Sequence, residues 1–106
     1  MPKDLSVVLL LDYYGLLLPQ KQRKLVEYYY CDDLSLAEIS DNEGITRQGA
    51  RDSIVRAVAK LREFEAAVGV LQRANRTKEL LKNYTEAPTD GNLNKLVEYI
   101  NEMEGG

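Results

Sequence analysis

Histidine and tryptophan are absent from these 106 residues; cysteine occurs once, phenylalanine once and proline three times. Each scarcity closes something off. Without histidine the chain lacks the commonest general base near neutral pH and the commonest zinc ligand, and a cysteine nucleophile would have no imidazole partner. The single thiol, Cys31, cannot close an internal disulfide; between a tyrosine run and Asp32-Asp33, it is expected to be a partly buried structural group. There is no Gly-rich phosphate loop and no G-x-S-x-G elbow, so neither an enzyme nor a cofactor is expected. No apolar run reaches the roughly 20 residues that span a bilayer. Leu5 to Leu18 comes nearest and is broken by Asp12 and by Tyr13-Tyr14-Gly15. Lys3 is the only basic residue before Asp4, and no small-residue cleavage site follows. No signal peptide is read, and the cytoplasm is the expected compartment.

What is present is ordinary globular composition, 44% hydrophobic and 29% charged, in a length that suits one domain or one domain with a helical arm. The net charge of -3 does not advertise a nucleic-acid binder, but charge is segregated. Arg47, Arg51, Arg56, Lys60 and Arg62 stand against Asp52 alone, and Lys21, Arg23 and Lys24 form a second basic group. Acid gathers at Glu27, Asp32, Asp33, Glu38, Asp41 and Glu43, and again at Glu98, Glu102 and Glu104. A local basic face is therefore compatible with an acidic whole. The pairs Asp32-Asp33 and Asp41/Glu43 lack the oxygen-ligand spacing of an EF-hand and read as helix-end caps and solvated acids; no metal is expected.

Helical periodicity recurs throughout, with no convincing alternation of period two, so the expected class is all-α. Helices are expected over about Leu5–Tyr14, stopped by Gly15; Pro19–Cys31, opened by the proline, with Leu25, Val26 and Tyr29 inward; and Ser35–Asn42, where Ser35 and Glu38 form a capping box. Gly44 supplies a tight turn, and Thr46 caps a long fourth helix. In that fourth helix Ala50, Ile54, Ala57, Leu61, Phe64, Val68 and Leu71 alternate steps of four and three, a heptad seam. Ile54, Leu61, Phe64, Val68 and Leu71 are thus expected to pack on C-terminal helices or on a second copy in a homodimer. Two more helices are expected, about Gln72–Thr85 and Asn92–Glu102, with Glu104-Gly105-Gly106 frayed. The expected organisation is residues 1–71 as one domain and 72–106 as an extension packed on it.

Residues 34–62 carry the informative pattern. A capped short helix, a glycine turn and a second helix opening on Thr46-Arg47-Gln48-Gly49 make a helix-turn-helix, with small Ala37 allowing close approach and Leu36, Ile39, Ile45, Ala50 and Ile54 between the helices. The start of the second helix would face base edges: Thr46, Arg47, Gln48 and Arg51, arginine suited to guanine and glutamine to adenine. Ser53, Arg56 and Lys60 would hold phosphates. The plain alternative is a charged solvent face beside a buried stripe. The tyrosines could stack on unpaired RNA bases, but core edges with a wet hydroxyl are the preferred reading for Tyr28 and Tyr29, while Tyr14 and Tyr30 are left open.

Leu34-Ser35-Leu36-Ala37-Glu38-Ile39-Ser40, Gly44-Ile45-Thr46, Ile54, Arg56-Ala57 and Leu61-Arg62 resemble region 4 of bacterial sigma factors. With Leu11-Asp12-Tyr13-Tyr14-Gly15, Gln22-Arg23, Tyr28-Tyr29, Asp32-Asp33, Thr46-Arg47-Gln48 and Asp52-Ser53-Ile54, the chain more closely resembles the YlxM family of small bacterial helix-turn-helix proteins, over roughly residues 5 to 75. It departs from the family pattern at Asn42-Glu43, Gly49 and Ala50. The resemblance implies a cytoplasmic regulator or accessory of the signal recognition particle pathway, since YlxM-like proteins are encoded beside that particle's GTPase and its receptor. It implies as partners DNA, the particle's RNA, or the GTPase itself bound as a protein-interaction module.

Overall fold

The computed structural model describes residues 3–105, which form six α-helices and one 3-10 turn with no strand among them. The helices are α1 (Ser6–Tyr14), α2 (Gln20–Tyr30), α3 (Leu36–Glu43), α4 (Arg47–Val68), α5 (Val70–Glu86) and α6 (Asp90–Gly105), with the 3-10 turn at Gly15–Leu17. The protein is all-α and carries a helix-turn-helix at α3–α4. It divides into two compact units, Met1–Gly69 and Val70–Gly106, described separately below.

Each break has a local cause. Pro19 sits one place before α2 rather than inside it, and Leu18 ahead of it is extended, as the ring of a following proline demands. After α2 the chain turns at Asp33, the only non-glycine residue with positive φ (57°) among those described; a short acidic side chain tolerates that region. Ser35 Oγ accepts from the Glu38 amide at 3.1 Å while the Ser35 amide donates to Glu38 Oε1 at 3.2 Å, which is the expected capping box. Gly44 ends α3 with φ 66°, and its N–H donates to the Ser40 carbonyl. Thr46 Oγ1 then accepts from the Gly49 amide at 2.9 Å and opens α4.

In the first unit α4 is the common wall. α1, α2 and α3 all pack on it. Ala50, Ile54, Ala57 and Leu61 are fully buried there, with Val7 and Leu10 from α1, Leu25, Val26 and Tyr29 from α2, and Ile39 from α3. Burial of each large aliphatic side chain contributes about 1.5–3 kcal/mol before chain entropy is counted. Tyr14 is buried beside Phe64, ring centroids 6.2 Å apart.

Several expectations fail. The long helix does not run through the whole heptad pattern. It stops at Val68, where Gly69 takes φ 68° and donates to the Glu65 carbonyl, so Leu71 belongs to α5, which starts at Val70. Ile54 and Leu61 are spent inside their own unit, leaving them no surface for a coiled coil with a second copy. Phe64 is half-buried and Val68 is exposed. Ile45, expected between the two helices, is 39% exposed because the positive-φ turn at Gly44 swings it outward. Leu36, by contrast, does pack against the cluster of Ile39, Ala50 and Ile54 between the helices, and like Ala37 it is half-buried rather than fully buried. Cys31 is exposed, because it lies just past the end of α2 where the chain leaves the core.

In the second unit α5 and α6 pack together, and Leu80 is its most buried residue. Thr89 Oγ1 accepts from the Asn92 amide, and Asn92 Nδ2 donates to the Ala87 carbonyl at 2.8 Å, fixing the turn. α6 extends through Gly105 rather than fraying at Glu104; Gly106, the rest of that expectation, lies outside the described residues. Among the described residues no helix is long and apolar enough to cross a membrane.

Candidate nucleic-acid interface

The first turn of α4 carries no acid, so the positive end of the helix dipole is left uncompensated. Thr46, Arg47, Gln48 and Arg51 are all exposed there. Farther along, Arg56 and Lys60 are exposed and Ser53 is half-buried. These residues do not share one face. At about 100° per residue, Gln48 and Arg51 fall on one side of α4, while Ser53, Arg56 and Lys60 fall on the other. Arg47 lies on the Arg51 side, near the edge of the buried stripe.

The cations also differ in company. Arg47, Arg56 and Lys60 make no ion pair among the described residues. Arg62 is drawn to Asp4, Nη2 to Oδ2 at 3.0 Å; hydrogen bonding from Ser6 first, its amide foremost, and then that arginine hold Asp4 below its ordinary carboxylate value. Asp52 engages two of the four side chains expected at base edges. Its Oδ1 accepts from Gln48 Nε2 at 2.9 Å and lies 3.6 Å from Arg51 Nη1. The sequence marks Asp52 as an acid in a basic stretch; only the geometry shows what it grips.

A second basic element stands beside the turn. Gln20, Lys21, Lys24 and Leu25 of α2 face Glu43 and Ile45 across an open groove of about 360 Å3. Lys24 pairs with Glu43 at 3.0 Å, which holds the Glu43 carboxyl below its ordinary value and the lysine above its own. Glu43, one of the departures from the family pattern, is thus a half-buried brace between α2 and the turn. Lys21 remains exposed at the groove's edge. The run Lys21-Gln22-Arg23-Lys24 was the sequence signal for this element, but periodicity alone could not bring it to the turn.

The tyrosines divide. Tyr29 is buried, and Tyr28 and Tyr30 are half-buried against the cluster of Leu25, Ile39, Ala50 and Ile54. They are core edges. Cys31 carries no nucleophile signature: although the residue is exposed, desolvation on the protein-facing side of its thiol, then Asp32, Glu27 and Asp12, push its pKa up. No group of three or more histidine, cysteine or acidic side chains that could hold a metal occurs among the described residues.

The profile of the family UPF0122, described as "Putative helix-turn-helix protein, YlxM / p13 like", matches residues 1–102. The chain belongs to the UPF0122 family. It is 41% identical to a UPF0122 protein of Symbiobacterium thermophilum over 86 residues, 80% of each chain. It is 36% identical to one of Halalkalibacterium halodurans over 106 residues, covering 96% of this chain and 97% of the other. A third UPF0122 protein, of a Thermoanaerobacter species, is 37% identical over 91% of this chain and 88% of its own. The profile match and the Halalkalibacterium and Thermoanaerobacter matches run past Gly69 into α5 and α6, so family likeness covers the helical tail as well as the helix-turn-helix.

Proposed function

We propose that this UPF0122 protein is a cytoplasmic nucleic-acid-binding regulator that sets the start of α4 in a duplex groove. The observation that carries this is a capped helix-turn-helix whose second helix exposes Arg47, Arg56 and Lys60 with no ion-pair partner among the described residues, on a chain of net charge -3. Unpaired cations on an otherwise acidic protein are the arrangement that phosphate would neutralise. Thr46, Arg47, Gln48 and Arg51 then meet base edges, and Ser53, Arg56 and Lys60 meet backbone on the far flank. The tie to the signal recognition particle pathway rests on the resemblance to YlxM proteins and not on geometry.

The test is fluorescence anisotropy on duplex DNA and on signal recognition particle RNA, with the wild type and an Arg47→Ala, Arg51→Ala double variant, at low and moderate salt. Salt-sensitive binding lost in the double variant supports the reading, and the tighter ligand decides DNA against RNA. Binding indifferent to both arginines sinks it.

A second reading has its own observation. Leu5, Leu9, Tyr13 and Leu16 recur at steps of four, four and three along α1 and the 3-10 turn; Leu5 is 73% and Leu16 86% exposed, with Leu17 beside them. An apolar stripe of this kind is the mark of a protein-binding face. A protein-interaction module for the particle's GTPase would use that stripe, bind with little salt dependence, and ignore the two arginines.

A further inference from the structure

We propose that Asp52 is a positioning residue that fixes Gln48 and Arg51 for reading bases; this deepens the nucleic-acid reading above and rests on it. One carboxylate oxygen, Oδ1, accepts from Gln48 Nε2 at 2.9 Å and attracts Arg51 Nη1 at 3.6 Å. Asp52 stands four residues after Gln48, the spacing at which helix side chains meet, and lies on the outer side of α4, away from the Ile54 stripe.

The donor count favours this role over simple neutralisation. A glutamine amide has two N–H donors and one acceptor oxygen. The major-groove edge of adenine offers N7 as acceptor and N6 as donor, so it needs one of each from glutamine. The hydrogen given to Asp52 is the one adenine does not use. An ionised carboxylate only accepts, so it sets which end of the amide turns inward and leaves Oε1 and the second N–H outward. Arg51 keeps the rest of its five-donor fork for guanine while its stem is held to one side. Asp52 also repels phosphate. It would weaken indiscriminate binding while sharpening discrimination, the combination expected of specificity that uses unfavourable contacts as well as favourable ones.

The experiment uses the full chain. A pool of duplexes with a randomised core is bound and sequenced, and anisotropy then compares the preferred duplex with versions altered at the adenine and at the guanine. Wild type, Asp52→Ala, Asp52→Asn, Gln48→Ala and the Gln48→Ala, Asp52→Ala double variant are measured, with circular dichroism to check the fold. Asp52→Ala should bind random duplex several-fold tighter yet lose about tenfold in discrimination at the adenine, the scale of one bidentate base contact. Asp52→Asn keeps an acceptor oxygen but adds a donor that can take Gln48 Oε1 instead, so its discrimination should fall between wild type and Asp52→Ala, a partial rescue that charge alone would not give. In the Gln48→Ala background, removing Asp52 should no longer change adenine discrimination. Unchanged discrimination in Asp52→Ala, with wild type binding duplex, overturns this inference alone. Absence of any duplex binding by wild type overturns it together with the nucleic-acid reading.

Discussion

Tyr14 Oη donates to Glu65 Oε1 at 2.7 Å, joining the last residue of α1 to the last turns of α4 across 51 positions. The ring is only 3% exposed and leans on Phe64, so the hydroxyl is carried to the carboxylate by a packed body. A hydrogen bond to a charged acceptor that water can still reach is worth about 1–2 kcal/mol. Tyr14→Phe should therefore lower stability by about 1 kcal/mol in urea unfolding, and Tyr14→Ala by about 3 kcal/mol or more because packing goes too. Equal losses in the two variants would mean the hydroxyl contributes nearly everything and the ring little.

Ile54 lies at 0% exposure where α2, α3 and α4 converge, in a cluster with Leu25, Tyr29, Ile39 and Ala50. Ile54→Ala should cost about 3 kcal/mol, within the range for cavities left by a large aliphatic side chain. On a small unit of marginal stability this should be plain as a lower urea midpoint, with exposed Val55→Ala as the near-neutral control. A midpoint unmoved by Ile54→Ala would contradict the placement of the core.

Gly44 has φ 66° and no heavy atom within 4 Å of where a Cβ would stand. A substitution there meets backbone strain and no clash. Gly44→Ala should cost about 1–2 kcal/mol and Gly44→Asn clearly less, since asparagine visits the left-handed region more readily. Thermal melts of the two variants check the order; alanine as mild as asparagine would argue against the left-handed turn.

Lys24 holds the Glu43 carboxyl below its ordinary 4.5. A carboxyl that titrates lower in the folded state adds stability above its unfolded value and loses it as pH falls through its folded value. The Lys24–Glu43 contribution is thus present near neutral pH and disappears in acid, below 4.5. Carboxyl NMR should find the Glu43 midpoint moving up toward 4.5 in Lys24→Met. The melting temperatures of wild type and variant should converge as the solution is acidified. A Glu43 midpoint untouched by the substitution would leave the depression without its cause.

Much of the first unit could be read directly because its signals are local. Ser35, Glu38, Gly44 and Thr46 act within a turn of chain, and spacing alone carries Val26, Ile39, Ile54 and Leu61 to the core. The heptad reading failed at Gly69 for a definite reason. A break of one glycine leaves the steps of four and three undisturbed, so Val68 and Leu71 keep their rhythm although the backbone between them has reversed its φ. Ile45 and Cys31 were misplaced because hydropathy ranks a side chain without knowing which way a turn throws it. In the candidate interface the residue types were legible but their company was not. Asp52 on Gln48, Asp4 on Arg62 and Glu43 on Lys24 each change what a nearby basic or polar side chain is free to do, and two of the three partners come from elsewhere in the chain.

Because α1, α2 and α3 each rest on α4, the helix that would meet a ligand is also the one whose loss unfolds the unit. A molecule seated on its outer face would therefore be felt by every buried residue at once. Ligand at a hundredfold its Kd adds about 2.7 kcal/mol, which for a unit of this size raises the melting temperature by on the order of 10–20 °C. The protein's own melting curve would then serve as a label-free detector for screening DNA, RNA and protein candidates side by side.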